Sequence, residues 1–440
     1  MTFQTKTSPR LVQPARSRVA VLLWLFPRFG AVSRLKEGEE HSIGRGFDCA
    51  TQLPGETISG RHAAVRLAGG LLVVRDLNSR NGTRVNGKTI TELSTLGLGD
   101  ILRCGEWLAC VVEDCEALGE FGELAPGLMG GASLGAALEL ARKLAPEGLP
   151  MAIEGPTGAG KERAAAAIHG WSGRRGEFVG VNCAAIPAEL AESSFFGHAK
   201  GAFSGADRAR PGYLRQADGG TLLLDEFAEL PQPMQAKLLR ALEESEVCAV
   251  GESVARKVDV LLLTASQFSL DELVAKQRLR EDLAARLSDV CVTLPGLAQR
   301  REDILPLFTG FLRERLEARV PQIDPDLAEW LCTGSWRRNV RGLKRLARTM
   351  AVLHGAEPVL SLRHVPEQDR KREPREIGDA SAPEDPAMNF RRVLRALQEH
   401  NGNVSKAATT LGMDRNKVRR ILKMHPELDA KALRPKPPAE

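Results

Sequence analysis

No apolar run in this 440-residue chain is long enough to cross a bilayer as a helix. The longest, Val19–Phe26, is closed by Pro27 and Arg28, whereas a spanning helix takes about 20 residues. A basic start precedes the run, so a signal peptide is a rival reading; no small-residue cleavage pattern follows at once, and a buried strand fits better. Paired cysteines are also lacking. The eight thiols, at Cys49, Cys104, Cys110, Cys115, Cys183, Cys248, Cys291 and Cys332, show no zinc-ligand or redox spacing. That excludes a disulfide scaffold and points to reduced thiols in a cytoplasmic protein with no membrane partner. Nor does one sign of charge prevail: 61 Lys and Arg face 56 Asp and Glu, a net +5, so local distribution matters more than the total. With 43% hydrophobic and 27% charged residues, the chain has material for packed cores. At about 100–200 residues per domain it suits two to four domains.

The texture changes along the chain. Residues 1–17, with Thr2, Thr5, Thr7 and Pro9, read as a polar tail. From 18 to 115, short apolar runs (Val19–Leu25, Ala63–Leu67, Leu71–Val74, Ile101–Leu102, Leu108–Val112) are broken by turn signals such as Asn81-Gly82 and Asn86-Gly87. That spacing predicts an all-β sandwich. Residues 116–130, Gly-rich from Gly119, predict a linker. Between 131 and 365, helical stretches such as Leu134–Leu144 alternate with apolar strands at Met151–Ile153, Thr221–Leu224 and Val258–Thr264. This alternation is the mark of a parallel sheet covered by helices. A charged, Pro-containing segment at 366–386 predicts a second linker, and 387–425 a short helical module.

Gly155-Pro156-Thr157-Gly158-Ala159-Gly160-Lys161 follows the strand Met151–Ile153 and opens a helix from Glu162 to His169. A strand, a Gly-rich turn and a helix in that order let backbone N–H groups cradle phosphates, with Lys161 reaching the terminal ones. Taken alone, the run competes with a chance glycine turn, because Glu162 stands where the generic pattern has Ser or Thr. A second element decides. Thr221–Leu224 runs straight into Asp225-Glu226, an apolar strand ending in two carboxylates. Asp225 can hold Mg2+ and Glu226 can orient a water for attack on ATP; a helix N-cap is the plainer alternative.

From about Gly130 to Val365 the sequence resembles AAA+ bacterial enhancer-binding proteins, which activate the sigma-54 form of RNA polymerase. The resemblance rests on Asn182 to Ala185, Phe196 to His198, Gly201-Ala202-Phe203-Ser204-Gly205-Ala206, Gly219 to Thr221 ahead of Asp225, Arg280 to Leu283, Arg286-Leu287 and Trp336 to Leu343. Glu162 after the lysine is usual in this family. The resemblance implies that Asn182 restrains Glu226 until the nucleotide state changes, and that Gln267 and Arg341 are sensors of the nucleotide. It also implies that Arg280 and Arg286 act in trans on a neighbour's ATP, so that the working form is a homo-oligomer, from dimer up to a hexameric ring. The 201–206 loop would engage sigma-54: its glycines let it swing, Phe203 is an apolar anchor and Ser204 offers a hydroxyl. Ser204 replaces the family's Thr, Gln267 its Asn, Trp336-Arg337-Arg338-Asn339 its Trp-Pro-Gly-Asn, and Gly342 its Glu.

At the C-terminal end, Ala407, Ala408, Leu411, Val418, Ile421 and Leu422 make the core pattern of a helix-turn-helix, with Gly412 to Asp414 as the turn. Nine basic residues stand against Glu399 and Asp414 in this module, a local charge of +7. It resembles the Fis-type helix-turn-helix that commonly ends enhancer-binding proteins. Arg415, Asn416, Lys417, Arg419 and Arg420 would then face enhancer DNA, some on bases and others on phosphates. A solvated amphipathic helix is the plainer reading.

In the β region, Gly44-Arg45, Ser59 to His62 and Asn78 to Thr83 place Arg, Ser and Asn in separate loops. Such a set suits a phosphate that is bound and not hydrolysed. Val19 to Val112 resembles a forkhead-associated (FHA) domain, a reader of phosphothreonine. The resemblance implies Arg45 and Ser59 as phosphate ligands, Arg80 beside them and Asn81 on the peptide backbone. Arg61 and His62 would brace the loops, and Gly60 replaces a residue that is often Arg. The partner would be a phosphothreonine-containing protein or a Ser/Thr kinase. Thr5 and Thr7 in the tail are a further candidate, bound by a neighbouring copy.

The expectation is therefore a multidomain chain: an all-β FHA sandwich, an α/β AAA+ P-loop ATPase with a helical lid, and an all-α helix-turn-helix. Its expected work is ATP-dependent activation of sigma-54 RNA polymerase under phosphothreonine control. The alternative is a phosphopeptide- and DNA-binding regulator whose ATPase is uncoupled from sigma-54.

Overall fold

The computed structural model describes residues 20–68, 71–91, 93–114, 118–203, 206–287, 289–316 and 319–370, and toward the C-terminus residues 393, 396–397, 400, 403–411, 413, 415 and 418. These fall into two compact units, one within 117–375 and the other drawn from the remainder.

In the N-terminal region two sheets make the expected sandwich. One has six strands, with Ala20–Phe26 and Trp107–Glu113 paired antiparallel at its centre; the other has five, centred on Ala63–Ala68. Residues 21–25 are all buried, as a run without polar alternation requires when both faces are covered. Between the sheets, Trp24 meets Trp107 edge to face at 6.0 Å, with Leu22, Ile43, Val65, Val74 and Val111 around them. Asn86 and Gly87 both take positive φ, 49° and 79°, the signature of the tight hairpin turn that Asn-Gly predicts.

The Gly-rich stretch expected to be a linker is largely ordered. Phe121–Ala125 and Leu128–Gly131 pair as an antiparallel hairpin, and Ala125 and Leu128 enter the core of the following unit. Glycine content suggested flexibility; alternate apolar residues able to reach a core decided otherwise. Arg163, on the helix after the phosphate loop, donates to the Gly127 carbonyl at the hairpin's turn.

Behind the hairpin, Ala132–Leu144 buries Leu134, Leu138 and Ala141 on one stripe. Five parallel strands follow: Met151–Glu154, Phe178–Asn182, Thr221–Asp225, Leu261–Ser266 and Val290–Thr293. Numbered in chain order, they lie 2-3-4-1-5. The helix Lys161–Ser172 presents Ala164, Ala165, Ala167 and Ile168 to the sheet, small side chains that permit a close approach. A Cβ on Gly220 would lie 2.2 Å from the Glu177 carbonyl, which explains the glycine before Thr221. Beyond the sheet, helices Ile304–Leu316, Pro325–Thr333 and Asn339–His354 form the lid.

Of the C-terminal module, the helix Val404–Leu411 is described. Val393, Ala396, Leu397, Ala407, Ala408 and Val418 share a buried cluster, and Asn403 caps the helix by accepting from Ser405 and Lys406 N–H groups. Ile421 and Leu422 lie outside the described residues. No helix among the described residues is long and apolar enough to cross a membrane.

Candidate functional site

Parallel pairing draws the sequence candidates into one row. Asn182 is in register with Asp225, Asp225 with Ala265, and Ser266 with Glu154. The carboxyl ends of strands 2, 3, 4 and 1 therefore lie side by side, with Gln267 and Gly155 each one residue beyond its strand. Ligands of open α/β sheets bind at this edge.

The phosphate loop is held through its carbonyls. Gly155 accepts from Lys161 Nζ at 2.8 Å, Pro156 from Ala159 N–H at 3.1 Å and Gly160 from Ala164 N–H at 3.0 Å. Thr157 accepts from Asn339 Nδ2 at 2.9 Å, Gly158 from Val340 N–H at 3.1 Å and Ala159 from Arg300 Nη2 at 2.7 Å. Gly158 has φ +77°, and a Cβ there would lie 2.3 Å from the Arg338 carbonyl and 3.3 Å from the Arg341 Cβ. The first amides of the helix opening at Lys161 have no intrahelical acceptor by construction, so that helix end suits an anion. Glu162 sits in its first turn.

Burial holds the Lys161 ammonium below its ordinary range; Asp225 and Glu226 pull it up and Arg341 adds to the lowering. The four charged groups therefore feel one another's charge. Glu226 takes a left-handed φ of 53°, a strained conformation for a non-glycine residue. Its N–H is tied to the Ala265 carbonyl at 3.0 Å. Asn182 Oδ1 accepts from Ala184 N–H at 3.0 Å, and no hydrogen bond joins Asn182 to Glu226 among the described residues. Gln267, one methylene longer than the family's Asn, accepts from the Thr157 hydroxyl at 3.0 Å.

Arg280 and Arg286 do not belong to this row of strand ends. Arg286 is exposed on the helix Glu281–Leu287, and Arg280, just before it, makes a two-pronged contact with Asp282 at 3.0 and 2.6 Å. In the 201–206 loop, Gly201 N–H donates to Ala206 O at 2.8 Å and Ala206 N–H to Phe203 O at 3.0 Å. Phe203 is 41% exposed and stands edge-on to His198 at 5.0 Å. Ala202 lies against Gly251, whose added Cβ would meet the Ala202 Cβ at 3.0 Å. Ser204 and Gly205 lie outside the described residues.

In the sandwich, the four phosphopeptide candidates come from loops tied together at one rim. Arg45 N–H donates to Ser59 O at 2.9 Å, Arg80 N–H to Ser59 Oγ at 3.0 Å, and Asn81 Nδ2 to Thr57 O at 2.7 Å. Arg45, Phe47, Gln52, Pro54 and Gly60 line a groove of about 760 Å³. The buried His62 is the brace that the sequence suggested: Nδ1 accepts from Ser59 N–H at 3.2 Å and Nε2 pairs with Gly82 O at 3.1 Å. Asp76 carries the next loop, receiving Ser79 and Thr83 hydroxyls at 2.6 Å each. Of the DNA candidates, Arg415 is exposed; Asn416, Lys417, Arg419 and Arg420 lie outside the described residues.

Two residues at the loop carry no signal of their own in the sequence. Asn339 stands out only as part of the Trp336–Leu343 stretch, and Arg300 reads in sequence as part of a solvated charge run. The signal for Arg300 was its setting, Gln299 to Asp303 pressed between Leu297 and Ile304.

Four family patterns match in order along the chain: an FHA domain at 41–105, a sigma-54 interaction domain at 129–293, an AAA+ ATPase lid domain at 298–382, and a bacterial regulatory protein of the Fis family at 390–424. The regulatory protein HrpS of Pseudomonas syringae pv. syringae is 42% identical over 212 residues, covering 48% of this chain and 70% of HrpS. The transcriptional regulatory protein GlrR of Escherichia coli K12 is 38% identical over 298 residues, 67% of this chain and 66% of GlrR. The chain thus spans about two thirds of the length of these relatives. The crystal structure of Brucella abortus NtrX in complex with ATP aligns with a TM-score of 0.50 and 31% identity over 68% of each chain. Phosphate loop, paired carboxylates, lid, FHA sandwich and Fis-type module together place this chain in the family of sigma-54-dependent transcriptional regulators.

Proposed function

We propose that the protein is an ATP-driven activator of sigma-54 RNA polymerase that binds enhancer DNA and answers to a phosphothreonine signal. The observation carrying this reading is the single row formed by the phosphate loop, Asp225-Glu226, Asn182 and Gln267, with Lys161 tied to the loop at the Gly155 carbonyl and within reach of the charges of Asp225, Glu226 and Arg341. The residues fit a Mg2+-nucleoside triphosphate: the loop's carbonyls are occupied by the chain's own donors, and Lys161 shares its electrostatic surroundings with two carboxylates. Bound ATP and Mg2+ supply the phosphoanhydride bond and the charge that stabilises its cleavage.

The chain's own residues divide the rest of the work. The 155–160 loop and Lys161 bind the phosphates, Asp225 holds the metal, and Glu226 orients water. Asn182 and Gln267 register the state of the terminal phosphate, and Arg341 does so from the lid. Arg280 and Arg286, exposed and not part of their own row, complete a neighbour's site, which makes hydrolysis depend on a homo-oligomer up to a hexamer. The Phe203 loop transmits the movement to sigma-54. Arg415, Asn416, Lys417, Arg419 and Arg420 hold DNA, and Arg45, Ser59, Arg80 and Asn81 read a phosphothreonine on a partner or on a Ser/Thr kinase.

Open-complex formation with purified sigma-54 polymerase tests the whole reading. ATP-dependent promoter opening that is lost in Glu226→Gln, with nucleotide binding retained, supports it. Phosphopeptide and DNA binding without promoter opening, in wild type and in Ser204→Thr alike, would establish the uncoupled regulator instead. DNA binding whose salt slope is unchanged by Arg419→Ala with Arg420→Ala would refute the recognition-helix assignment.

A further inference from the structure

A charged run that looks solvated in sequence is deeply buried in the ATPase unit. Arg300, Arg301, Glu302 and Asp303 are 1%, 3%, 3% and 0% exposed. Burying a guanidinium is expensive unless it is well paired, and Arg300 is thinly paired. Its contact with Asp303 is long, 3.5 Å, and its Nε has no hydrogen-bond partner among the described residues. The short contact, 2.7 Å from Nη2, goes to the Ala159 carbonyl inside the phosphate loop, 141 residues away. Asp303, meanwhile, receives Gly131 N–H at 2.8 Å, and Glu302 receives the Ser133 hydroxyl. The carboxylates of the run thus grip the start of the domain, and the first of its two cations grips the loop.

Three consecutive loop carbonyls, Thr157, Gly158 and Ala159, accept from Asn339, Val340 and Arg300 respectively. Donors on the carbonyl side fix each peptide plane. That pre-sets the direction of the neighbouring N–H groups before any phosphate arrives, and the orientation need not be acquired at the cost of binding energy. Of the three donors, Arg300 alone is a cation and alone lies outside the helix Asn339–His354.

We propose that Arg300 is a positioning residue for the nucleotide: through the Ala159 carbonyl it holds the phosphate loop in its binding form. It touches no substrate and acts through the loop. The inference rests on the nucleotide-binding reading above.

The test compares Arg300→Met, Arg300→Lys and Leu327→Ala in the full-length protein, using a fluorescent ADP for Kd and steady-state ATP hydrolysis for KM and kcat. Met fills the site without a donor, and replacing a buried ion by an apolar side chain of similar size is often tolerated. Leu327 is a fully buried residue of the lid helix Pro325–Thr333, which supplies none of the three donors to the loop, so its truncation destabilises the lid and leaves those donors in place. The expected result is a Kd and KM raised about tenfold or more in Arg300→Met. kcat at saturation should change far less, because binding shared by ground and transition states moves KM alone. Arg300→Lys, which keeps a donor, should fall between Met and wild type, and Leu327→Ala should lower the melting temperature while leaving Kd near wild type. A folded Arg300→Met with wild-type Kd overturns the proposal; so does Leu327→Ala raising Kd as much as Arg300→Met. If Arg300→Met gives no cooperative melt, Arg300→Lys decides, an unchanged Kd refuting and a raised one supporting. A wild-type protein that binds no nucleotide would instead sink the proposed function itself.

Discussion

Asn339 Nδ2 donates to the Thr157 carbonyl at 2.9 Å across 182 residues of sequence, while its Oδ1 accepts from Leu297 N–H at 2.8 Å. One side-chain amide therefore ties the first turn of a lid helix both to the phosphate loop and to the segment leaving the sheet. Its φ of 46° is left-handed, a region that Asn tolerates better than most residues.

Asn339→Asp keeps the acceptor for Leu297 and loses the donor to Thr157, so it separates the two contacts. It should bind nucleotide roughly three- to tenfold more weakly, for one hydrogen bond of about 0.5–1.5 kcal/mol. Asn339→Ala loses both contacts and adds backbone strain, about 2–4 kcal/mol in all. Nucleotide titration and thermal melts check the pair; wild-type affinity in Asn339→Asp would mean that the loop does not depend on this donor.

Arg286 is exposed in the chain whose own Glu226 lies at the strand-3 edge. Arg286→Ala and Glu226→Gln should each hydrolyse ATP at least about a thousandfold more slowly than wild type. Mixing the two variants should restore part of the activity, since an intact glutamate of one copy then meets an intact arginine of the other. A mixture no faster than its components would rule out the shared site.

A Cβ on Gly60 meets nothing within 4 Å, and Gly60 lines the groove beside Arg45. Gly60→Arg should therefore be accommodated and add a second cation for a phosphothreonine, tightening a phosphopeptide by about tenfold. Arg45→Ala should abolish measurable binding. Fluorescence anisotropy with phosphorylated and unphosphorylated peptides measures both; weaker binding in Gly60→Arg would mean that the phosphate sits elsewhere.

His62 is buried, and burial lowers its pKa, partly opposed by the Gly82 hydrogen bond and the Asp76 charge. A folded pKa below the unfolded value near 6.5 means that the unfolded chain binds the proton more readily. Stability from this group is therefore full above about pH 6.5 and is lost as pH falls toward the folded pKa. Protonating Nδ1 would also cost the Ser59 N–H its acceptor. The melting temperature of the FHA domain should thus fall more steeply between pH 7 and 5 than in His62→Asn. Parallel pH curves would show that His62 does not titrate with unfolding.

The FHA rim and the row at the strand ends were legible because each lies where local pattern and strand order meet: Asp225-Glu226 ends an apolar run, and Arg45, Ser59 and Asn81 sit in turns marked by glycine. The hairpin at Phe121–Gly131 was not, because glycine spacing says little about whether Ala125 and Leu128 find a core. Likewise Asp303, pushed up to about 7 by burial and by the like charge of Glu302, is indistinguishable in sequence from a surface aspartate.

By itself the sequence determined the domain order, the parallel sheet, the phosphate loop and the charged helix-turn-helix, since periodicity and turn chemistry act over a few residues. Only the tertiary structure decided that Gln267 reaches Thr157, that Asn339 and Arg300 hold the loop's carbonyls, and that a run of four charges lies inside. Burial and hydrogen-bond partners are set by what packs across more than a hundred residues of chain, and no local pattern carries that distance.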